Sequence, residues 1–476
     1  MTKKLLSFII PLFIFTLAFI PRLYRLNNPI ADWHSWRQAD TAAVARNFVK
    51  TDFNLLYPQS DSFLALNASG LPNPNRYFIN EFPFYNAIVA LVYKQFGINP
   101  AFARLVSDFF ASLGAVFLFL LARKLFNFKT ALVAGLYYCL NPYNIFYGRV
   151  IMPDPTFVSL SIISLYLWVS WIKSQRLWQG ISWLIIFALA LLVKPYAIFM
   201  VLPFAYWALA SRGLEVFKDW RLYLISFLSF IPLILWRHHL ASHPEASFAS
   251  AWLLNGDNIR FTGAFFRWLI YDRLNRLIFA TGGFVLFILG ITQSYLSKNK
   301  GLIAAWLISV VAYMTIFAKG NVTHDYYQLP IMPVGSILVA FGFWAIVNNS
   351  KKLLPRLINW SLALGLLVLS FAFGWYEVRG FFNINRPEIV KAGQAIDRLT
   401  PKEALVIAAY NSDPAFLYQT NRYGWPDGVE IEAKVKQGAT YYVSVNFDNV
   451  SEYLEEKCSV VEKTDEYIII DLHNCL

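Results

Sequence analysis

The chain has 476 residues, a formal net charge of +12 at pH 7 and a mean hydropathy of +0.45. Hydrophobic residues make up 57% of it and charged residues only 15%, whereas soluble domains carry about 25% charged residues. This composition excludes an ordinary soluble enzyme and a disordered or fibrous protein, and it predicts an α-helical polytopic membrane protein. The basic residues stand in short clusters between apolar runs, which is typical of membrane proteins and does not indicate a nucleic-acid partner.

The apolar runs predict about eleven transmembrane helices, each near the ~20 residues that a bilayer requires. The first run is not followed by a small-residue cleavage site, so we interpret it as a retained helix rather than a signal peptide. The predicted spans are 5–21, 105–122, 130–147, 155–172, 178–193, 196–211, 222–237, 277–296, 301–318, 328–347 and 356–375.

The charge pattern predicts the orientation of these spans. With the N-terminus in the cytoplasm, every predicted inner loop carries at least two basic residues, such as Lys173 and Arg176 in one loop. This distribution predicts a multi-pass protein of the plasma (inner) membrane with a cytoplasmic N-terminus. The apolar segment 83–97 is too short to span the bilayer without breaking the alternation, so we expect it to lie at the outer surface as a juxtamembrane helix.

The order of apolar and polar segments predicts two domains. Residues 1–376 are predicted to form a transmembrane domain whose long outer loop, 22–104, carries juxtamembrane helices. Residues 377–476 are far more polar and are predicted to form a small extracytoplasmic α/β domain. Its predicted helices are 386–399 and 448–457, and its predicted strands are Leu405–Ala409, Thr440–Val445 and Tyr467–Asp471.

Two cysteines lie in this polar tail. Cys458 and Cys475 flank the last predicted strand, so a disulfide between them would close a hairpin. A position outside the cytoplasm favours the disulfide, whereas two free thiols are expected in a reducing compartment. Cys139 lies in an apolar run and is interpreted as a small buried hydrophobic residue.

The first outer loop has an unusual density of groups that carry chemistry. Asp32, His34, Arg37 and Asp40 stand within nine residues, together with two tryptophans. Asp40 is predicted to begin a helix, where a carboxylate caps free N–H groups. Because a cap needs only one of these side chains, the others indicate a further role in catalysis or binding.

Other candidates lie in loops predicted on the same side of the membrane. Asp154 stands between two prolines at the start of a predicted helix, five residues after Arg149. Lys194 interrupts an apolar run before Pro195, where a lysine either snorkels to the interface or holds a lipid phosphate. His324 and Tyr327 precede the tenth predicted span. One face of the membrane would thus carry a carboxylate base and several phosphate-binding cations.

At these residues the chain resembles the GT-C class of membrane glycosyltransferases. It is most similar to the family 39-like branch, which contains protein O-mannosyltransferases and lipid A aminoarabinose transferases. The similarity runs from about residue 5 to 375 and rests on the order and spacing of several short motifs. These are the first-loop acidic motif, Glu81-Phe82-Pro83-Phe84-Tyr85, Gly97, Ala103-Arg104-Leu105, Arg149 to Asp154, Lys194-Pro195 and His324 to Pro330.

The resemblance implies a GT-C-like transferase that takes a sugar from a polyprenyl-phosphate donor and passes it to a lipid, glycan or protein acceptor at the outer face of the membrane. In the family, a first-loop Asp acts near the acceptor and the donor phosphate. Here Asp40 is the first choice for that position, without the Glu and Tyr that follow it in the family, and Asp32 is the second. Another alignment, anchored on Ala45-Arg46, places Arg37-Gln38 at the motif. A second Asp after the third span supports the site and matches Asp154. The aminoarabinose branch has a lysine near the Pro-aromatic segment that this chain lacks.

The remaining site residues are assigned by position in the matching motifs. The resemblance then implies donor-phosphate contacts from Arg37, Arg149 and Lys194 in place of the absent lysine. Substrate contacts are expected from His34, Glu81, His324 and Tyr327.

The chemistry expected of such an enzyme is simple. A carboxylate takes the acceptor proton while cations stabilise the charge that grows on the leaving phosphate. Attack from the face opposite the phosphate would invert the anomeric centre. Nothing in the sequence demands a divalent metal or another cofactor.

Two other functions are compatible with the composition. A transporter or flippase of a lipid-linked saccharide would place charged residues near the bilayer midplane, often in repeated halves, and neither feature is found in the sequence. A membrane-anchored binding or assembly protein would use the polar tail as its working part. The transferase is favoured over both.

Overall fold

The computed structural model describes residues 3–64, 70–247, 250–349 and 352–475, with the side chains of residues 3–7 and 353 excepted. Residues 65–69 of the predicted outer loop lie outside this description. The described chain is mostly helical and contains one five-stranded sheet. Packing divides the chain into two compact units. The first unit comprises Met1–Tyr24, Leu105–Arg237 and Ser250–Gly380, and the second comprises Arg25–Arg104, His238–Ala249 and Phe381–Leu476.

The first unit is built from apolar helices. Its α-helices are Lys3–Arg22, Pro100–Leu125 (for most of its length), Phe128–Leu140, Pro142–Tyr147, Asp154–Ser174, Leu177–Val193, Val201–Arg212, Trp220–Ala241 (for most of its length), Trp252–Asn255, Gly263–Phe266, Ala280–Ser294, Lys300–Ile316, Ala318–Thr323, Ile331–Val347 and Leu353–Val378. Four 3₁₀ helices, Pro195–Met200, Gly213–Lys218, Gly256–Phe261 and Asp325–Gln328, and one π-helix, Arg267–Ile278, join them.

The helical membrane fold predicted from composition is confirmed. Among the described residues, five segments are long and apolar enough to cross a bilayer, and a sixth arises if the bent pair Gly263–Ile278 and Ala280–Ser294 is one span. The two halves of this pair meet at 114°. Each of the eleven predicted spans coincides with an apolar helical segment, and their number as membrane crossings stays a prediction. The five long segments are Pro100–Leu125, Asp154–Ser174, Pro195–Lys218, Trp220–Ala241 and Leu354–Leu399.

One predicted span is wrong in detail. The predicted helix 130–147 is divided at Asn141, where a new helix begins with Pro142. Proline has no N–H to continue the first helix, and the Asn141 side chain accepts a hydrogen bond from the backbone N–H of Asn144. This break starts the short helix that leads to Arg149.

Two helices of the first unit approach each other through glycines. An added Cβ at Gly290 would lie 1.8 Å from the carbonyl oxygen of Leu338, and one at Gly342 would lie 1.9 Å from that of Leu286. Both distances are far inside van der Waals contact. Small residues permit this approach, and helix association in a bilayer depends on such close packing because lipid supplies no hydrophobic drive between helices.

We expect Gly290→Ala to destabilise the first unit, because the methyl group must displace the backbone of the neighbouring helix. The cost should be about 1–3 kcal/mol, the usual range for overpacking. The measurement is thermal unfolding of the purified protein in a mild detergent. Gly365→Ala is the matched control, since nothing lies within 4 Å of a Cβ at that helical glycine. Equal unfolding temperatures for both variants would contradict this account of the packing.

The second unit contains the sheet. Its strands are Leu405–Ala409 (β1), Tyr423–Trp425 (β2), Ala439–Ser444 (β3), Ser459–Lys463 (β4) and Ile468–Asp471 (β5). They lie in the order β2-β1-β3-β5-β4, with β1 parallel to both of its neighbours and β5 antiparallel to both of its own. The three predicted strands are present as β1, β3 and β5. Strands β2 and β4 escape prediction because β2 has three residues and β4 is mostly exposed.

Amphipathic helices complete the second unit. Its α-helices are Ser35–Lys50, Phe84–Phe96, Pro387–Leu399, Pro414–Gln419, Ile431–Lys436 and Asn449–Lys457, with short 3₁₀ turns at Pro244–Ala246 and Arg379–Phe382. The Pro387–Leu399 helix buries Ile389, Ala392 and Ile396, which have the three-to-four-residue spacing of one helix face. The helix at 84–96 is present as predicted, whereas its place at the membrane surface stays a prediction.

A disulfide joins Cys458 and Cys475, which flank the β4–β5 hairpin and are 17 residues apart. Both sulfur-bearing side chains pack against the core of the sheet, which includes Tyr442, Ile468 and Leu472. A cross-link that closes a loop of about 15 residues removes about 3 kcal/mol of chain entropy from the unfolded state in the simplest treatment. Cys139 is a free, buried thiol in the first unit.

Candidate active site

The first-loop helix begins earlier than its sequence predicts. The helix is Ser35–Lys50, and its N-cap residue, His34, has left-handed backbone angles (φ 55°). Asp40 therefore lies more than one turn inside the helix, and the prediction that it begins and caps that helix is wrong. The apolar residues Ala39, Ala42 and Ala43 extend the helix on both sides of Asp40, since all are good helix formers. The helix therefore holds the Asp40 carboxylate in place, and this carboxylate does not cap the helix.

Asp40 is buried, with 5% of its surface exposed. Burial raises the pKa of its carboxyl from the ordinary 3.8 to about 7; the Arg37 guanidinium opposes this rise, and the carboxylates of Asp413 and Asp61 add to it. Among the described residues, no side chain gives the Asp40 carboxylate a hydrogen bond. A buried carboxyl that titrates near neutrality is typical of a general acid or base.

Arg37 lies one helical turn before Asp40 and belongs to a second ion pair. Its Nη2 donates to both carboxylate oxygens of Glu81, at 2.9 Å each. The structure thus brings together Arg37, Asp40 and Glu81, three of the predicted site residues, within the second unit. Because Glu81 accepts these hydrogen bonds, the Arg37 charge only partly offsets the burial of Asp40.

Asp32, the alternative first-loop carboxylate, has a different environment. Gln38 Nε2 donates to Asp32 Oδ1 at 2.7 Å, and Arg104 Nη2 lies 3.6 Å from Asp32 Oδ2. Arg104 is fully buried and also donates to the backbone carbonyls of Leu26 and Asn28. These contacts hold the loop before the helix and suit Asp32 to a structural role.

A cavity of about 260 Å³ lies beside this loop. Asp32, His34 and Asp413 contribute to its wall. The His34 ring lies 5.2 Å from the Trp33 ring in an edge-on arrangement. Burial also raises the pKa of the Asp413 carboxyl, to about 6.

The first unit holds a second cluster, centred on an ion pair. Asp154 begins the Asp154–Ser174 helix as predicted, and its Oδ1 lies 3.2 Å from Nζ of Lys194. Lys194 is extended and ends the preceding helix because Pro195 disfavours helical angles in the residue before it. Both side chains are at least nine-tenths buried. The two residues are 40 positions apart in sequence, so only the fold reveals their pairing.

Aromatic rings surround the Lys194 ammonium. Its Nζ lies 5.3 Å from the ring centre of Tyr327, 5.8 Å from that of Tyr196 and 5.9 Å from that of Tyr326. Rings at this distance attract a cation. The predicted substrate residue Tyr327 therefore lies beside the predicted phosphate residue Lys194.

Asp325 is the residue of this cluster that the sequence prediction missed. Tyr147 Oη donates to Asp325 Oδ1 at 2.5 Å, Tyr143 Oη donates to the Asp325 backbone carbonyl at 2.7 Å, and Arg273 Nη1 lies 4.0 Å from Asp325 Oδ2. The only sequence signal was its position next to His324. Its partners lie in distant segments, so its burial and hydrogen bonds were not visible in the pattern.

The last two predicted residues of the first unit have distinct places. The His324 ring lies 5.3 Å from the rings of both Tyr326 and Tyr327, so it extends the aromatic group around Lys194. Arg149 is fully buried, and its guanidinium lies 5.8 Å from the Phe146 ring. The predicted phosphate-binding residues Lys194 and Arg149 are thus both buried in the first unit.

The fold is that of the GT-C class of membrane glycosyltransferases. ArnT from Cupriavidus metallidurans, in a structure bound to undecaprenyl phosphate, shares it with 13% identity, a TM-score of 0.67 and coverage of 97% of each chain. The oligosaccharyltransferase from Archaeoglobus fulgidus, in its apo form, shares it with 10% identity and a TM-score of 0.57, over 91% of this chain and 69% of that chain.

The sequence comparison agrees with the fold. A family model described as dolichyl-phosphate-mannose-protein mannosyltransferase matches residues 80–236, about a third of the chain. No curated protein matches the sequence. These findings confirm the predicted resemblance to the GT-C class and to the branch around ArnT and the protein mannosyltransferases. They do not assign roles to individual residues.

Proposed function

We propose that the protein is an integral membrane glycosyltransferase that moves a sugar from a polyprenyl-phosphate donor to an acceptor at the outer face of the membrane. The fold supports the class, and the undecaprenyl phosphate bound to ArnT supports the donor chemistry. The observation that carries the catalytic assignment is the buried Asp40 carboxyl, whose pKa of about 7 suits a base working near neutral pH.

The reaction that we assign to Asp40 is removal of the acceptor proton. The acceptor oxygen forms a bond to the anomeric carbon as the bond from that carbon to the phosphate oxygen breaks. The proton passes to Asp40, and the polyprenyl phosphate leaves with the electron pair. Attack from the side opposite the phosphate inverts the anomeric centre. The acceptor is a hydroxyl-bearing lipid, glycan or protein.

The cations of the first unit suit the other half of this reaction. As the sugar leaves, the donor phosphate changes from a monoanionic diester to a more negative monoester, so fixed positive charge stabilises the transition state. We assign Lys194 and Arg149 to this phosphate. Asp154 orients the Lys194 ammonium, with its Oδ1 3.2 Å from Nζ. Arg37 is the weaker candidate because Glu81 already accepts two hydrogen bonds from it.

The proposal also covers the location of the protein in the membrane and its need for a cofactor. We place the protein in the plasma (inner) membrane with its N-terminus in the cytoplasm and the tail over 377–476 outside, as the basic loops indicate. No step of this reaction needs a metal, because the buried cations supply the positive charge. Among the described residues, no group of three or more His, Cys, Asp and Glu side chains could hold a metal ion.

The direct test uses vesicles that contain the purified protein, undecaprenyl phosphate bearing a radiolabelled hexose, and hydroxyl-bearing lipid, glycan and peptide acceptors. We expect the donor to be consumed with release of undecaprenyl phosphate, and mass spectrometry to find a polyprenyl phosphate co-purified with the protein. Asp40→Asn is the inactive control. Movement of the intact labelled lipid across the bilayer, without consumption, would instead support a flippase. The proposal would be contradicted if no polyprenyl lipid co-purified with the protein and no donor from a panel of hexoses was turned over.

A further inference from the structure

The cavity of about 260 Å³ in the second unit has a mixed aromatic and polar wall. It is formed by residues 31–36, which end in the first turn of the first-loop helix, and by residues of the segments 385–389 and 410–413. Its size is slightly below the roughly 300–1,000 Å³ of pockets that hold drug-sized ligands. It therefore suits one or two small rings rather than a long chain. The wall residues that matter here are Asp32, Trp33, Trp36, Arg386, Tyr410 and Asp413.

The aromatic side chains of this wall are held in place. The Trp33 ring stacks on the Phe381 ring with a centroid distance of 4.9 Å and an interplanar angle of 11°. The backbone N–H of Trp33 also donates to the backbone carbonyl of Phe381 at 3.0 Å. Trp33 is nevertheless 38% exposed. The Tyr410 ring lies 5.4 Å from the Arg386 guanidinium. Rigid, part-exposed rings offer flat apolar faces at low entropic cost.

The polar side chains of the wall are mainly hydrogen-bond acceptors. Asp413 accepts a hydrogen bond from the Ala415 N–H through Oδ1 at 2.8 Å, and a carboxylate has acceptor capacity beyond one such bond. Asp32 is already paired with Arg104 and Gln38, and Arg386 is paired with Glu388. Asp413 is therefore the wall carboxylate best placed to accept hydrogen bonds from a ligand, and its negative charge disfavours a phosphate or another anion there.

The cavity lies within electrostatic reach of the proposed base. The Asp413 carboxylate is one of the groups that act on the titration of Asp40. The two residues are 373 positions apart in sequence, and the fold of the second unit brings them near each other. A ligand in this cavity would therefore sit close to the carboxylate that takes the acceptor proton.

We propose that this cavity binds a neutral sugar ring of the acceptor, so that the acceptor is a saccharide. The inference rests on the proposed transferase function and names its second substrate. Sugar rings have apolar C–H faces that pack on Trp and Tyr and hydroxyl groups that donate to carboxylates, and the wall supplies both partners. A peptide acceptor would be expected to pair with a strand edge, and none of the cavity residues lies in a strand.

The experiment measures binding without requiring turnover. Full-length protein in lipid nanodiscs, free of sugar-based detergent, is titrated with methyl glycosides of glucose, galactose, mannose and N-acetylglucosamine, with saturation-transfer NMR as the readout. We expect saturable binding of at least one glycoside, weakened about tenfold or more by Tyr410→Ala and by Asp413→Asn. Asn385→Trp, at an exposed wall residue, should fill the cavity and abolish binding without disturbing the core. Tyr453→Ala, at another part-exposed tyrosine of the same unit, is the control.

Three results would overturn the inference. One is the absence of saturable binding at concentrations up to about 50 mM. Another is equal affinity in wild type and all cavity variants. The third is binding of a Ser/Thr-containing peptide that no glycoside displaces and that the same cavity variants abolish. That result would identify a peptide acceptor. Donor consumption in the vesicle assay is independent of these titrations. A protein that consumes donor but binds no glycoside refutes only the saccharide acceptor.

Discussion

Asp40→Asn is expected to remove nearly all transferase activity and, at pH 8, to make the protein more stable. Asparagine has almost the same shape as aspartate but cannot take a proton. The transfer rate should therefore fall by about 10²–10⁴-fold, which is the contribution of a positioned general base. The measurement is the rate of donor consumption in vesicles with the acceptor present. Asp52→Asn is the matched control, because Asp52 is an exposed carboxylate of the same unit.

The gain in stability follows from the sign of the pKa shift. Burial raises the pKa of Asp40 from 3.8 to about 7 in the folded protein, while the unfolded chain keeps the ordinary value. Between these two values the unfolded state binds fewer protons, so wild-type stability falls as the pH rises from about 4 to 7. The penalty is complete above pH 7 and is on the order of a few kcal/mol. The asparagine variant lacks this penalty.

Thermal unfolding at two pH values tests this directly. The Asp40→Asn variant should unfold at a higher temperature than wild type at pH 8, and at nearly the same temperature at pH 4. In wild type, kcat/KM should rise with pH and become constant above about 7, where Asp40 is deprotonated. An active variant, or a variant less stable than wild type at pH 8, would rule out a buried base at this position.

Lys194→Met is expected to destabilise the first unit strongly. It leaves the buried Asp154 carboxylate without the ammonium 3.2 Å away. Removing one partner of a buried ion pair costs about 3–5 kcal/mol, because the remaining buried charge loses its close counter-ion. The folded fraction, measured by size-exclusion chromatography of the detergent extract, should fall sharply. Lys319→Met is the control, since Lys319 pairs with Asp257, which is mostly exposed, and such surface pairs contribute about 0–1 kcal/mol.

The double variant Asp154→Asn with Lys194→Met separates folding from chemistry. Neutralising both partners removes the uncompensated charge, so the folded fraction should recover. Donor consumption should not recover, because the proposed phosphate contact is absent. If the double variant regains both folding and activity, the pair has only a structural role. If Lys194→Met alone folds as well as the Lys319→Met control, the Asp154–Lys194 ion pair does not stabilise the first unit.

The sequence patterns predicted the secondary-structure elements better than the contacts between side chains. Long apolar runs located the helices, and short strand-like stretches located β1, β3 and β5, because both signals are local. The start of the Ser35–Lys50 helix was misjudged because Asp40 looks like a cap and the true N-cap, His34, does not.

The partners of the candidate site could not be predicted because they are distant in sequence. Glu81 is 44 residues from Arg37, and Tyr147 is 178 residues from Asp325. No local pattern indicates which charged group will meet which. The pKa of Asp40 depends on this three-dimensional burial, so it too was outside the reach of the sequence.

The strand order of the sheet has a consequence for the timing of folding. Strand β5 is the last of the five in the chain, yet it lies between β3 and β4 and pairs with both. A ribosome releases β5 after both of its neighbours, so β4 has no place in the sheet until β5 arrives. Chains fold as they emerge where local partners suffice, and β1, β2 and β3 can pair before β5 is made. Completion of the sheet is therefore a late event in synthesis, and the newly made β3 edge stays open until then.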